Sequence, residues 1–199
     1  MTVVCLDLEG VLVPEIWISF AQKTGLDELK RTTRDEPDYH KLMDYRISIL
    51  KRENLKLSDI QETISSIRPL DGAKEFLDEL RSLTQVIILS DTFEEFAKPL
   101  MRQLGWPTIF SNSLVVRNDV IEDIRMRQED GKMNAVRALS SIGFRTFAAG
   151  DSYNDLKMIR EADAGCLFRA PENILAENPD LKLCNDYSEF LSVIKENLK

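Results

Sequence analysis

The sequence predicts an α/β fold, a doubly wound sheet with a small helical cap inserted after the first strand. Two observations predict the sheet. Apolar runs at residues 3–6, 86–89 and 147–149 are too short for helices and read as buried strands. From residue 69 onward such runs alternate with segments of helical periodicity. A third observation predicts the insertion: between residues 15 and 68 apolar residues recur only at helical spacings, and no strand pattern interrupts them.

Taken in order, residues 2–7 read as a strand followed by a tight turn at Gly10. In the next block Ile16, Phe20, Leu26, Leu29, Leu42, Met43, Ile47, Leu50, Ile60 and Ile64 mark helix faces. Gly25-Leu26-Asp27 and Pro37 divide that block into several short helices, and Ser58-Asp59-Ile60-Gln61 resembles a capping box opening one of them. Residues 71–83 then predict a helix, 84–90 a strand, 93–104 a helix and 107–110 a short strand. Residues 113–125 flank Asn118-Asp119 with β-rich sequence and predict a hairpin. A helix over 132–142, a strand over 144–150, a helix over 153–162 and a strand over 164–168 follow. A helix after Pro171, a short strand near 182–184 and a last helix from Tyr187 complete a mostly parallel, Rossmann-like arrangement. The expected division is an α/β core of residues 1–14 and 69–199, with the cap formed by 15–68.

The net charge of −8 argues against nonspecific nucleic-acid binding, which needs a basic surface. Cys5, Cys166 and Cys184 are odd in number and lack metal-ligand spacing; Cys5 and Cys166 sit in apolar runs as small buried hydrophobes. A strand begins at once at the N-terminus, so no signal peptide is expected, and no apolar stretch reaches membrane-spanning length. The expected setting is the cytoplasm, away from membranes, and an exposed apolar face could support a homodimer.

Chemistry concentrates in four segments: Asp7-Leu8-Glu9-Gly10-Val11, Ser90-Asp91-Thr92, Lys132, and Gly150-Asp151-Ser152-Tyr153-Asn154-Asp155. Three stand where an apolar run stops, and open α/β sheets bind ligands outside the carboxyl ends of their strands. Carboxylates, a hydroxyl and an ammonium at one sheet edge suit a divalent metal and a phosphoryl group. Magnesium prefers a few carboxylates plus water and phosphate oxygens, so Asp7 and Asp151 are the expected direct ligands. Asp155 is expected to act through water or by orienting the others, with a backbone carbonyl near Glu9 as a further ligand. Ser90, with Asp91 beside it, and Asn154 are expected among the substrate-binding groups. Lys132 would balance phosphate charge and hold Asp7 ionised. Asp7 is then the nucleophile, and Glu9 protonates the departing oxygen and later deprotonates the incoming hydroxyl.

Each segment alone has an ordinary structural explanation. Ser-Asp-Thr and Gly-Asp-Ser can cap helices, Asp-X-Glu is common in loops, and a single lysine is usually solvated. Their order and shared strand-end placement carry the functional reading.

Together the four segments resemble the haloacid dehalogenase-like superfamily of phosphohydrolases and phosphotransferases. Its pattern is Asp-X-Asp-X-Thr/Val, then Ser/Thr after a strand, then Lys, then Gly-Asp-X-X-X-Asp, and it is matched across essentially the whole chain. The resemblance implies that Asp7 is the nucleophile, Ser90 the phosphate-binding hydroxyl, Lys132 the balancing charge and Asp151 and Asp155 the metal-site acids. Glu15 and Arg46 resemble positions by which phosphoserine phosphatases hold substrate, a carboxylate for its ammonium and a guanidinium for its carboxylate. On their own they would be a first-turn dipole partner and a surface helix arginine.

Glu9 departs from the usual second aspartate of the first motif. The opening Asp-Leu-Glu-Gly-Val-Leu-Val-Pro-Glu resembles the phosphoserine:homoserine phosphotransferase branch. That implies Mg2+, phosphoserine as donor, homoserine or water as acceptor, and a place in amino-acid biosynthesis. A phosphatase of another small phosphate ester is the main alternative. A receiver-like signalling domain fits poorly because the presumed nucleophile lies on the first strand. A dehalogenase fits poorly because Asp151 and Asp155 are present. His40 reads as a helix-surface residue, Trp17 and Trp106 as packing, and Arg125 and Arg127 as part of a solvated loop.

Overall fold

The computed structural model describes residues 1–198 except 33, 34 and 37. Among the described residues seven strands form one sheet in the order β4-β3-β2-β1-β5-β6-β7. They are β1 (Thr2–Leu6), β2 (Gln85–Phe93), β3 (Thr108–Arg117), β4 (Val120–Arg125), β5 (Arg145–Gly150), β6 (Ala164–Phe168) and β7 (Lys182–Cys184). All neighbours are parallel except the β3–β4 hairpin. The hairpin turns at Asn118-Asp119, both in left-handed conformations. The helices are α1 (Ile16–Thr24), α2 (Tyr39–Arg52), α3 (Leu57–Ser65), α4 (Ala73–Leu83), α5 (Glu94–Gln103), α6 (Gly131–Ser141), α7 (Tyr153–Glu161), α8 (Glu172–Glu177) and α9 (Tyr187–Asn197). A 3-10 turn at Asp27–Lys30 follows α1.

The two-residue period of β1 explains the double winding. Val4 and Leu6 join one core with Phe76 and Leu80 of α4, Phe96 of α5 and Phe190 of α9. Val3 and Cys5 face the opposite way and pack with Val136 of α6 and Met158 and Ile159 of α7. Helices α1, α2 and α3 fall between β1 and β2, and their apolar faces join the first core through Ile16, Phe20, Ile47, Ile60 and Ile64. The expected Gly25 break is present, with Gly25 left-handed at the end of α1. The Pro37 break lies outside the described residues. Helix α2 opens at Asp38, whose carboxylate accepts from the His40 and Lys41 N–H groups.

Four local expectations are corrected. Helix α3 begins at Leu57, and Asp59 accepts from the Lys56 N–H. Ser58 donates instead to Asp119 at the hairpin tip, so the cap comes from a distant turn. The short strand and the first hairpin strand are one continuous β3, because Asn112 is buried with its amide satisfied by the Asp91 carbonyl and the Arg127 N–H. Strand β2 continues past Ser90 to Phe93, with its register on β3 shifting between Leu89 and Phe93. Trp106 is not packed: it is left-handed in backbone and 59% exposed. Among the described residues no helix is long and apolar enough to cross a membrane.

Candidate active site

Strands β1, β2 and β5 are adjacent, so their carboxyl ends bring the first, second and fourth motifs to one edge. Asp7 follows β1 directly, its N–H donating to the Ala149 carbonyl of β5 at 3.0 Å. Lys132 lies in the first turn of α6, and its ammonium donates to Asp7 Oδ1 and Asp155 Oδ1, each at 2.8 Å. Asp91 Oδ2 lies 3.5 Å from the same nitrogen. Lys132 is only 8% exposed and Asp155 is fully buried, so this lysine is not a solvated one.

Ser152 stands at the N-cap of α7, where Asp155 reaches back to accept from its N–H, yet the same bonds serve the site. Asp155 Oδ2 accepts from the Asp151 and Ser152 N–H groups and the Ser152 hydroxyl at 3.1, 3.0 and 2.9 Å. With Oδ1 on Lys132, both Asp155 oxygens have protein partners. Ligand oxygens of Asp7, Asp151 and Asp155 lie within 4.8 Å of one another, and such an acidic group could hold a metal.

Ser90 to Thr92 do not cap α5, which opens at Phe93 without a side-chain bond. Ser90 Oγ accepts from the Thr92 N–H at 3.2 Å and faces a cavity of about 340 Å³. Asp7, Glu9, Glu15, Arg46, Asp91, Lys132, Asp151 and Asn154 line the same cavity, so it gathers every predicted site residue except the buried Asp155. Glu9 accepts from the Ile16 N–H at 2.9 Å, which fixes it beneath the first turn of α1. Glu15 stands just before that turn and is exposed, making no cap bond. Arg46 is buried, not a surface residue: one terminal nitrogen donates to the Arg31 carbonyl at 2.7 Å, and among the described residues Nε has no partner. Asn154 is exposed at the rim.

The electrostatics follow from burying several acids with one ammonium. Burial, with Asp155 adding repulsion, pushes Asp7 well above the ordinary carboxylate range although Lys132 opposes it. Burial and Asp155 likewise push Asp151 up to about 7. Burial, reinforced by Glu15, raises Glu9 to about 8. Burial works against the Lys132 charge, but Asp155, Asp7 and Asp91 outweigh it and hold the ammonium protonated. Burial also draws Arg46 down to about 10. A divalent cation could relieve such an acidic pocket.

Tyr39 and Asn112 escaped the sequence reading. The Tyr39 hydroxyl of α2 and the Asn112 amide of β3 both donate to the Asp91 carbonyl, at 3.4 and 3.0 Å. Trp17, read as packing, is indeed buried but also lines the cavity.

Residues 1–163 match the haloacid dehalogenase-like hydrolase family. The chain is 53% identical to phosphoserine phosphatase ThrH of Pseudomonas aeruginosa over 203 residues, covering 100% of this chain and 99% of that protein. It is also 53% identical over 189 residues to a phosphoserine phosphatase of Pseudomonas syringae, covering 94% and 80% of the two chains. In fold it is similar to a crystal structure of phosphoserine phosphatase in apo form, with a TM-score of 0.77 at 25% identity over 96% of this chain and 97% of that one. By these matches the chain belongs to the haloacid dehalogenase-like hydrolases and, within them, to the phosphoserine phosphatase family.

Proposed function

We propose that this chain is a Mg2+-dependent phosphoserine phosphatase that can also pass the phosphoryl group to homoserine, through phosphorylated Asp7. The observation that carries the reading is one cavity lined both by Asp7 with its Lys132 partner and by Glu15 with buried Arg46. A phosphate ester of an α-amino acid matches that spread of charge. The helical segment 15–68 acts as a cap over the core of 1–14 and 69–199, and its closure excludes bulk water during transfer.

Arg46 pairs with the substrate carboxylate, its Nε, without a partner among the described residues, supplying a donor, and Glu15 pairs with the ammonium. Ser90 and Lys132 bind phosphate oxygens, with Asp91 and Asn154 at the margin of the same pocket. Asp7 Oδ attacks phosphorus, and the bond from phosphorus to the serine oxygen breaks. Glu9, held protonated near neutral pH by its burial, gives its proton to that oxygen. After serine leaves, water or the homoserine hydroxyl attacks the phosphoaspartate while Glu9 takes the proton back, restoring Asp7. The acidic donor set fits magnesium, which Asp7 and Asp151, with a backbone carbonyl near Glu9, would hold directly while Asp155 would orient them. When bound, the ion screens the phosphate dianion from Asp7.

The extra methylene of Glu9 changes how water and an alcohol compete for the phosphoaspartate. The test is turnover of phosphoserine with magnesium, homoserine absent and then present, scoring free phosphate and phosphohomoserine separately. Phosphohomoserine is expected to appear at the expense of free phosphate, and Glu9→Asp to shift the ratio. Free phosphate alone would remove the transferase activity, and no turnover of phosphoserine would remove the Glu15 and Arg46 assignment. This reading assigns the chain to cytoplasmic amino-acid biosynthesis.

A further inference from the structure

We infer that Trp17 is a positioning residue for substrate recognition: its indole holds the Arg46 guanidinium in place and ties it to the strand that carries Ser90. The inference rests on the proposed pairing of Arg46 with the substrate carboxylate. Arg46 is 6% exposed, and among the described residues its hydrogen bonds go to no carboxylate, although Glu9 and Glu15 attract its charge. Its polar partners are few, the Arg31 carbonyl at 2.7 Å and a distant Met43 sulfur at 3.8 Å. These leave the plane of the guanidinium poorly fixed. The face of Trp17 supplies the missing constraint, with the guanidinium carbon 4.5 Å from the ring centroid.

Trp17 is itself held from the core side. Its ring meets Phe96 of α5 edge-on at 5.4 Å and 74°, and Phe20 at 6.3 Å and 84°. Phe96 in turn meets Phe93, at the end of β2, at 5.8 Å and 90°. Phe93 is three residues beyond Ser90 on the same strand. A continuous run of aromatic contacts therefore connects the phosphate-binding end of the cavity with its arginine end. This run fixes the distance between the two ends, and so favours an ester whose carboxylate and phosphate are spaced as in a β-phosphorylated amino acid.

Ordinary core packing would also bury Trp17, so the test must separate packing from positioning. Kinetics are measured for Trp17→Leu, which keeps an apolar side chain without a ring face, and Trp17→Phe, which keeps a smaller face. Phosphoserine is compared with O-phosphoethanolamine, which lacks the carboxylate. Positioning predicts that Trp17→Leu raises KM for phosphoserine about 5- to 20-fold, with kcat within about threefold. Trp17→Phe falls between, and the ratio of the phosphoserine KM to the phosphoethanolamine KM rises in both variants. Equal KM changes for the two substrates, or an unchanged ratio, would overturn the inference; if Trp17→Leu does not fold, Trp17→Phe decides it. Arg46→Ala separates the layers. If it leaves the KM ratio unchanged, the Arg46 assignment itself fails, whereas a shift in Arg46→Ala without one in the Trp17 variants sinks only the role of Trp17.

Discussion

Gly10 and Gly150 show how closely single residues set this site. Gly10 has φ +74°, and a Cβ there would collide with the Asp151 carboxylate. A Cβ on Gly150 would strike the Asp155 carboxyl group. Both glycines therefore let acids approach the backbone. Gly10→Ala should lower turnover about 100-fold or more, because displacing Asp151 misaligns the acidic cluster. It should also reduce the rise in Tm that magnesium gives the unsubstituted protein, and an unchanged Tm response would contradict the geometry. Lys132→Met removes the ammonium that bridges Asp7 and Asp155. Its turnover should fall at least about 100-fold, which steady-state assays at saturating magnesium would check.

At the scale of elements, the β3–β4 hairpin and α3 are joined by a contact that local pattern does not announce. The Leu57 N–H donates to the Asp119 carbonyl at 2.8 Å, and the Ser58 N–H and hydroxyl donate to the Asp119 carboxylate. Asp119→Ala leaves the Ser58 N–H without its side-chain acceptor and should cost about 1 kcal/mol, read as a lower Tm or denaturation midpoint. The sequence placed both elements yet misplaced the start of α3, because Asp119, which accepts from the Ser58 N–H beside the local Asp59 cap, lies 61 residues away. The strand ends carrying Asp7, Ser90 and Asp151 were legible for the opposite reason: short apolar runs and the polar residues that stop them are neighbours in sequence. Tyr39 was not legible, since its bond to Asp91 spans 52 residues. Trp106 was misread because an apolar ring suggests packing, whereas two successive left-handed residues, Gly105 and Trp106, turn it to solvent.

For the molecule as a whole, the buried acids link stability to pH and to cation binding. Asp151 and Glu9 hold protons in the folded chain up to about 7 and about 8, whereas free carboxyl groups lose them near 3.8 and 4.5. Between those limits the folded state binds more protons than the unfolded one, so stability falls as pH rises. Without metal, Tm should therefore decline from about pH 5 to about pH 8. Magnesium should raise Tm more at the upper end, where the acids it binds are ionised. A metal-free Tm that climbs over this range, or a magnesium response equal at both ends, would contradict the account of the cluster.

The central claim is that phosphate passes through Asp7. The most direct measurement is acid quenching during turnover of phosphoserine, followed by mass spectrometry of the peptide containing Asp7. The account predicts one phosphoryl group on Asp7, which builds up in Glu9→Gln as its discharge slows and is absent in Asp7→Asn. Sustained turnover with no phosphorylated Asp7, or with the label on another residue, would contradict it.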